Sequence, residues 1–115
     1  RRYREALERE PRSAAARACR VSLGFVLLEH LGRPGEALDH FRRYRRSGGG
    51  PLGPEALYGE GRSLDALGRA AAARDAFERF LERYPGAVQV EDVKRRLAAA
   101  AEDAGEPPVE EEKER

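Results

Sequence analysis

Apolar side chains recur at intervals of three and four residues along most of the chain, the spacing of a buried stripe on an α-helix. In the segment after Pro34, the stripe consists of Ala37, Leu38, Phe41 and Tyr44. In a later segment, it consists of Ala73, Ala76, Phe77, Phe80, Leu81 and Tyr84. No segment alternates with a period of two over a useful length, so the pattern predicts an all-α protein.

Prolines, glycines and one serine divide the chain into predicted helices. Ser13 is a candidate N-cap, and Pro34 and Pro54 can each occupy the first turn of a helix. Gly32, Gly68 and the pair Pro85-Gly86 are the expected helix ends. The predicted helices cover residues 1–10, 13–31, 34–46, 54–68, 70–84 and 88–103.

The same boundaries predict three parts of the chain. Residues 1–11 contain a short charged helix that Pro11 ends, and the chain begins inside this predicted helix without a starting Met. Residues 12–103 form the predicted helical domain. Residues 104–115 contain Pro107-Pro108 and the acidic run Glu110–Glu112, which predicts a disordered acidic tail. We therefore expect a piece of a longer protein.

Two stretches of the chain resemble each other at an offset of 36 residues. The tripeptide Leu-Gly-Arg occurs at 31–33 and again at 67–69. Ala37 and Phe41 have their counterparts in Ala73 and Phe77, and Tyr44 has its counterpart in Phe80. A period close to 34 residues is typical of helical-hairpin repeats, and the glycine-rich loop 48–53 can absorb the excess.

These residues resemble the tetratricopeptide repeat (TPR) family. The second unit agrees with the family spacing at Leu57, Gly61, Leu64, Leu67, Gly68, Ala73, Phe77 and Pro85. The first unit departs from it, because Gly24 lies one place early and Phe25 occupies the usual small position. The resemblance implies an α-solenoid of antiparallel helical hairpins with a C-terminal capping helix. Residues 1–11 resemble the end of a truncated preceding repeat, whose matching positions are Tyr3, Ala6, Leu7 and Pro11. It also implies close helix contact at Gly61 and Ala73, with Phe77 filling the gap to the next unit.

A narrower resemblance concerns the source and the larger protein. The stretch from Arg20 to Leu38, together with the later Phe80–Gly86, is similar to the TPR tails of bacterial cell-envelope proteins, including FecR-type and other anti-sigma regulatory proteins. The compartment stays open between bacterial periplasm or cell envelope and cytoplasm.

Composition excludes several classes of partner. The formal net charge is +1, so no overall field attracts nucleic acid, and none is expected as a partner. The longest mostly apolar run, residues 21–28, is too short to cross a bilayer, so no direct membrane insertion is expected. A single cysteine cannot form an internal disulfide.

The family resemblance implies a groove lined by the first helix of each hairpin. Its positions in the second unit are Glu55, Tyr58, Arg62, Asp65 and Ala66, and those in the first unit are Cys19, Ser22, Val26, Glu29 and His30. If this groove binds a peptide, we expect Arg62 to pair with an acidic group of the peptide and Tyr58 to offer a flat contact surface. The alternative is ordinary helix surface, with Arg62 paired to neighbouring carboxylates. The Lys and Asn pattern of carboxylate-clamp domains is absent.

A basic cluster surrounds Tyr44 and consists of Arg42, Arg43, Arg45 and Arg46. It could bind phosphate, nucleic acid or an acidic protein patch. The favoured interpretation is that the arginines coat the solvated face of a helix, near a C-terminus whose dipole favours cations.

Catalytic and metal sites are not predicted. His30, His40 and Cys19 lack chelating spacing, and no set of nucleophile, base and orienting residue can be assembled. We therefore expect no enzyme activity, no metal and no cofactor. The predicted function is a protein–protein interaction scaffold that binds a peptide or partner domain. The alternative is a structural oligomerisation module that packs on itself or on its parent domain.

Overall fold

The computed structural model describes residues 13–103 and residue 105. Within that range the chain forms five helices and no strand: α1 (Ala14–Glu29), α2 (Pro34–Arg46), α3 (Gly53–Ala66), α4 (Ala70–Arg83) and α5 (Val90–Asp103). The predicted helix 1–10 and almost all of the predicted acidic tail lie outside the described residues. The predicted all-α fold class is confirmed.

The helix ends follow from local chemistry. The Ser13 side chain accepts a hydrogen bond of 3.0 Å from the Ala16 N–H, as an N-cap does. At the end of α3, Gly68 has a φ of 77° and donates to the Asp65 carbonyl, while Arg69 donates to the Leu64 carbonyl. This pair of bonds is a Schellman motif, which needs a left-handed residue and therefore favours glycine.

The predicted bounds are wrong by one or two residues at several ends. Helices α1 and α3 end at Glu29 and Ala66, two residues before the predicted ends, because the residues before each glycine form the closing turn. Helix α5 begins at Val90 rather than at Val88, which is 91% exposed.

The five helices pack in chain order. Each helix contacts the next one, and α1 also contacts α3 directly. Helices α1 and α2 form one antiparallel hairpin, α3 and α4 form a second, and α5 covers the end of the second hairpin. This arrangement is the predicted TPR-like solenoid with a C-terminal capping helix.

Phe41 joins the two hairpins. Its ring is fully buried and lies between glycines of α1 and α3. A Cβ atom at Gly24 would be 2.7 Å from the ring, and one at Gly59 would be 2.5 Å from it. Phe25 packs edge-on against the same ring, with a centroid distance of 4.8 Å. Gly24 therefore serves as the small residue of the first unit despite its shifted position.

The second hairpin repeats this packing around Phe77. The Phe77 ring is 3% exposed and lies directly against Gly61, as the family resemblance implied. Phe80 is fully buried and belongs to the same apolar cluster as Val93 of α5. Interlocking aromatic and small residues thus connect each helix to the next, as expected for a repeat stack.

Candidate partner-binding face

The predicted groove residues of α3 lie on one side of that helix. Tyr58 and Arg62 are partly buried, while Asp65 is exposed at its end. On α1, Glu29 approaches Arg62, and Val26 is partly buried. Ser22 is exposed, and within residues 13–103 no hydrogen bond or ion pair joins it to the others. The structure therefore brings together the second-unit residues and Glu29, but not the whole predicted set.

Arg62 is the centre of this face. One terminal nitrogen of its guanidinium donates a 2.7 Å hydrogen bond to the Glu29 carboxylate of α1. The same guanidinium lies 5.6 Å from the centre of the Tyr58 ring, within the range of a cation–π contact. The pairing with a neighbouring carboxylate is the one that the alternative interpretation as helix surface predicted.

Helix α5 and the residue just before it supply contacts that the sequence pattern did not predict. The Tyr58 hydroxyl donates to the Asp92 carboxylate, which also accepts a 2.7 Å hydrogen bond from Arg96. The Gln89 amide lies 3.5 Å from the Glu55 carboxylate. Asp92 and Arg96 are four residues apart on one helix, a spacing that could have identified them as a pair.

Acid–arginine pairs connect successive helices of this face. Glu29 of α1 pairs with Arg62 of α3, and Asp65 of α3 lies 3.9 Å from Arg96 of α5. Glu29 and Asp65 are equivalent in the 36-residue repeat. The face therefore carries the same kind of contact at both of its helix junctions.

An open cavity of about 390 Å³ lies between these pairs. It is lined by the charged residues Arg62, Asp65 and Arg96 and by the small or apolar residues Leu28 and Ala66. Guanidinium groups beside an apolar side chain such as Leu28 can bind a peptide that presents an acidic and an apolar side chain.

The basic cluster does not lie wholly on a solvated face. Arg45 donates to the Glu60 carboxylate of α3, and Arg42 lies 3.8 Å from the same carboxylate. Glu60 is buried, with 2% exposure. Arg42 and Arg45 are therefore only partly exposed, and both lie beside a buried acid of the next repeat. Arg43 and Arg46 are exposed, and Arg43 pairs with Asp39 at 3.4 Å.

The position of Glu60 could have been noticed in the sequence. It lies between Leu57 and Leu64 at helical spacing, which places it on the buried side of α3. A charged residue on a buried stripe requires a partner of opposite charge. The sequence alone does not show which arginine fills that role.

A family model described as tetratricopeptide repeat matches residues 26–88, more than half of the chain. The chain belongs to the tetratricopeptide repeat family. A "TPR repeat-containing protein" of Treponema pallidum (strain Nichols) is 46% identical to this chain over 57 residues. That match covers 50% of this chain and 24% of the relative, so the matched half of the chain corresponds to about a quarter of that protein. No solved structure matches the chain.

Repeats of this family mediate protein–protein interaction and form non-catalytic scaffolds. In this TPR chain, the two units differ at the position of the glycine that lies against the aromatic ring of the paired helix. Gly24 and Phe25 of the first unit correspond to Glu60 and Gly61 of the second. The small residue thus moves by one place between units, and a buried acid takes the place equivalent to Gly24.

The histidines and the cysteine of this TPR protein lie apart from the cavity. His30 ends α1 through its backbone N–H, and the Cys19 thiol is free and partly buried. Burial, followed by the nearby charges of Arg20 and Arg43, lowers the pKa of His40 below its ordinary value. Within residues 13–103, no group of three or more His, Cys, Asp or Glu side chains is placed to hold a metal ion.

None of the five helices has both the length and the apolar character that crossing a membrane requires.

Proposed function

We propose that this TPR domain binds a peptide or an extended segment of a partner protein on the face formed by α1, α3 and α5. The cavity of about 390 Å³ between the acid–arginine pairs carries the proposal. Its lining includes two arginines, Arg62 and Arg96, beside the apolar Leu28. The peptide we expect has an acidic side chain next to an apolar one.

Arg62 is suited to exchange partners. The Glu29 side chain is 40% exposed, so water partly screens its attraction to Arg62, whose side chain is 24% exposed. An acidic group of a peptide can replace Glu29 at small cost, while the Tyr58 ring holds the guanidinium in place. Val26 and Ser22 of α1 would extend the contact along the face.

A peptide library provides the test. Peptides selected on the full chain should be enriched in an acidic residue beside an apolar one. Arg62→Ala should lower the affinity for the selected peptides by about tenfold, because a central arginine anchor is lost. Arg33→Ala is the matched control, since Arg33 is 62% exposed and lies outside this face. Selected peptides that bind the Arg62 variant as tightly as the wild type would contradict the proposal.

A second candidate function is self-association. Two leucines of the hairpin turns are exposed, Leu31 by 54% and Leu67 by 38%, and they occupy equivalent places in the repeat. Such residues could contact a second copy or the parent domain. Light scattering separates the two functions: a dimer that persists on dilution and is lost in a Leu31→Ser/Leu67→Ser variant favours self-association, and a monomer favours the peptide scaffold.

We also propose that the domain is part of a larger bacterial regulatory or cell-envelope protein. The match to about a quarter of the Treponema protein supports a modular setting. Fractionation of cells that express the complete protein, probed with an antibody to this domain, would place it in the envelope or in the cytoplasm.

A further inference from the structure

A second cavity, of about 410 Å³, lies on the other side of α3. Glu60 of α3 borders this cavity. Successive residues of an α-helix are rotated by about 100° around its axis, so two residues two positions apart point in nearly opposite directions. Glu60 is two residues from both Tyr58 and Arg62, so it points away from the candidate peptide face. The cavity is bounded by α2, by the glycine loop that joins α2 to α3, and by α4.

Arginines of two different repeats converge on this cavity. Five of them line it: Arg42, Arg45, Arg46, Arg79 and Arg83. Glu60 is the single carboxylate among the lining residues. The lining therefore carries a strong excess of positive charge, although the chain as a whole has a net charge of only +1.

The nearby acids do not neutralise that excess. The buried Glu60 is shared between Arg45 and Arg42, and Arg79 lies 3.6 Å from the exposed Asp75. Within residues 13–103, neither Arg46 nor Arg83 forms an ion pair. Two guanidinium groups at the edge of the cavity are thus available to a ligand.

Helix dipoles do not account for the convergence. The C-termini of α2 and α4 favour nearby cations, each with the equivalent of about half an elementary charge. Arg43 belongs to the same last turn of α2, yet it pairs with Asp39 outside the cavity. The dipole favours arginine near the helix end, but it does not require several arginines to line one cavity.

The glycine loop keeps the edge of the cavity open. Gly48, Gly49 and Gly50 all have positive φ values, of 105°, 69° and 145°, which side chains disfavour. A Cβ at Gly50 would lie 2.6 Å from the Tyr44 hydroxyl. That hydroxyl accepts a hydrogen bond from the Leu52 N–H, so the loop is held in place while presenting no side chain from its glycines.

We propose that this cavity binds a compact multivalent anion of the phosphate class, either free or carried by a phosphorylated partner. Guanidinium groups match phosphate oxygens in bidentate geometry, and several of them can share one phosphate group. A lone carboxylate would leave most of the lining charge uncompensated, whereas a phosphate or pyrophosphate group concentrates two or more charges in a small volume.

Titration calorimetry with pyrophosphate and the full chain tests the proposal. Saturable binding is expected, with an affinity that decreases as salt is added. The variant Arg46→Gln/Arg83→Gln should weaken binding by about tenfold or more, since it removes two charged donors. Both residues are exposed, so the fold should remain intact, and a thermal melt checks this.

A matched variant removes the same charge elsewhere. Arg33→Gln/Arg95→Gln changes two arginines that are 62% and 71% exposed and lie outside this cavity. It should bind pyrophosphate like the wild type. Absence of saturable binding by the wild type, or equal weakening by both double variants, would overturn the proposal.

Peptides identify the source of the phosphate. A phosphoserine peptide that binds while its unphosphorylated form does not supports a phosphorylated partner. Binding of pyrophosphate without the phosphopeptide supports a free anion. A glutamate-rich peptide that binds as tightly as either phosphate ligand would refute the assignment to phosphate. Because Arg62→Ala leaves this cavity intact, it should not change pyrophosphate binding, and this separates the present proposal from the peptide face.

Discussion

The Arg45 guanidinium donates a hydrogen bond to the carboxylate of Glu60, which is buried on the neighbouring hairpin. The two residues are 15 positions apart and belong to α2 and α3. A charged group inside an apolar contact is costly unless it is paired. The stability of the contact between the two hairpins therefore depends on this hydrogen bond as well as on the packing of Phe41.

Glu60→Gln should destabilise the fold by about 1–3 kcal/mol, because it removes the charge that Arg45 and Arg42 share. Both arginines are partly exposed and can turn toward water, which limits the loss. Urea denaturation measures the change. Glu36→Gln is the control, since that side chain is 60% exposed. Equal stability of Glu60→Gln and the wild type would show that the buried pair contributes nothing.

Phe77→Ala should reduce the free energy of unfolding by about 3–5 kcal/mol, because a nearly fully buried ring is lost and a cavity remains. Thermal or chemical denaturation measures it. Val88→Ala, at a position that is 91% exposed, should have little effect. A Phe77 variant that unfolds like the Val88 variant would refute the assignment of Phe77 to the core.

Two glycine-to-alanine substitutions should change the free energy of unfolding in opposite directions. Gly59→Ala forces a methyl group against the Phe41 ring, 2.5 Å away before any adjustment, and should cost about 1–3 kcal/mol. Gly35→Ala meets no atom within 4 Å in the first turn of α2 and should stabilise the protein by about 0.4–1 kcal/mol. Paired melting curves test both. A neutral Gly59→Ala variant would contradict the close approach of α3 to Phe41.

Stability should decrease as the pH falls below about 6.5, the ordinary pKa of histidine. The pKa of His40 is lowered in the folded state by burial and by Arg20 and Arg43, so the unfolded chain binds the proton more readily. The contribution of neutral His40 is therefore complete above pH 6.5 and is lost as the pH falls through its folded-state pKa.

Unfolding measured between neutral and mildly acidic pH tests this dependence. His40→Gln should flatten the slope in that window, because it removes the proton that the unfolded state takes up. His30→Gln, at an exposed position at the end of α1, is the control. An unchanged slope in the His40 variant would assign the pH dependence to other groups.

The contact between Arg62 and Glu29 should be weak. A double-mutant cycle with alanine at both positions should give a coupling energy of about 0.2–1 kcal/mol, because both side chains are partly exposed. Chemical denaturation of the wild type, the two single variants and the double variant provides the cycle. A coupling well above that range would mean that the pair is a rigid structural contact, and Arg62 would not be free to bind a peptide.

The fold was largely predictable because its signals are local. Helical spacing identified Phe41, Tyr44, Phe77 and Phe80 as core residues, and all four are buried. The glycine and proline positions located the helix ends to within about two residues, the usual uncertainty of such boundaries. The recurrence of Leu-Gly-Arg identified the repeat and, through the resemblance, the family that the family model confirms.

The site was less predictable. Repeat spacing placed Tyr58, Arg62 and Asp65 on one helix face, but it could not show that Asp92 and Arg96 of α5 complete it. Those contacts span about thirty residues of sequence, and they depend on how far α5 is rotated against α3. A helix pattern determines which residues share a face, but it does not determine which residue of the next helix lies opposite.

Helix periodicity and turn residues act over a few positions, so the sequence was enough to predict the five helices of the described range, their order, the buried aromatic residues and the repeat family. The tertiary structure alone decided that Glu60 is buried beside Arg45 and that arginines of α2 and α4 surround one cavity. The physical reason is that charges act across space. Their partners are set by the packing of separate repeats, and helix periodicity within one repeat does not show which residue of the next repeat lies opposite.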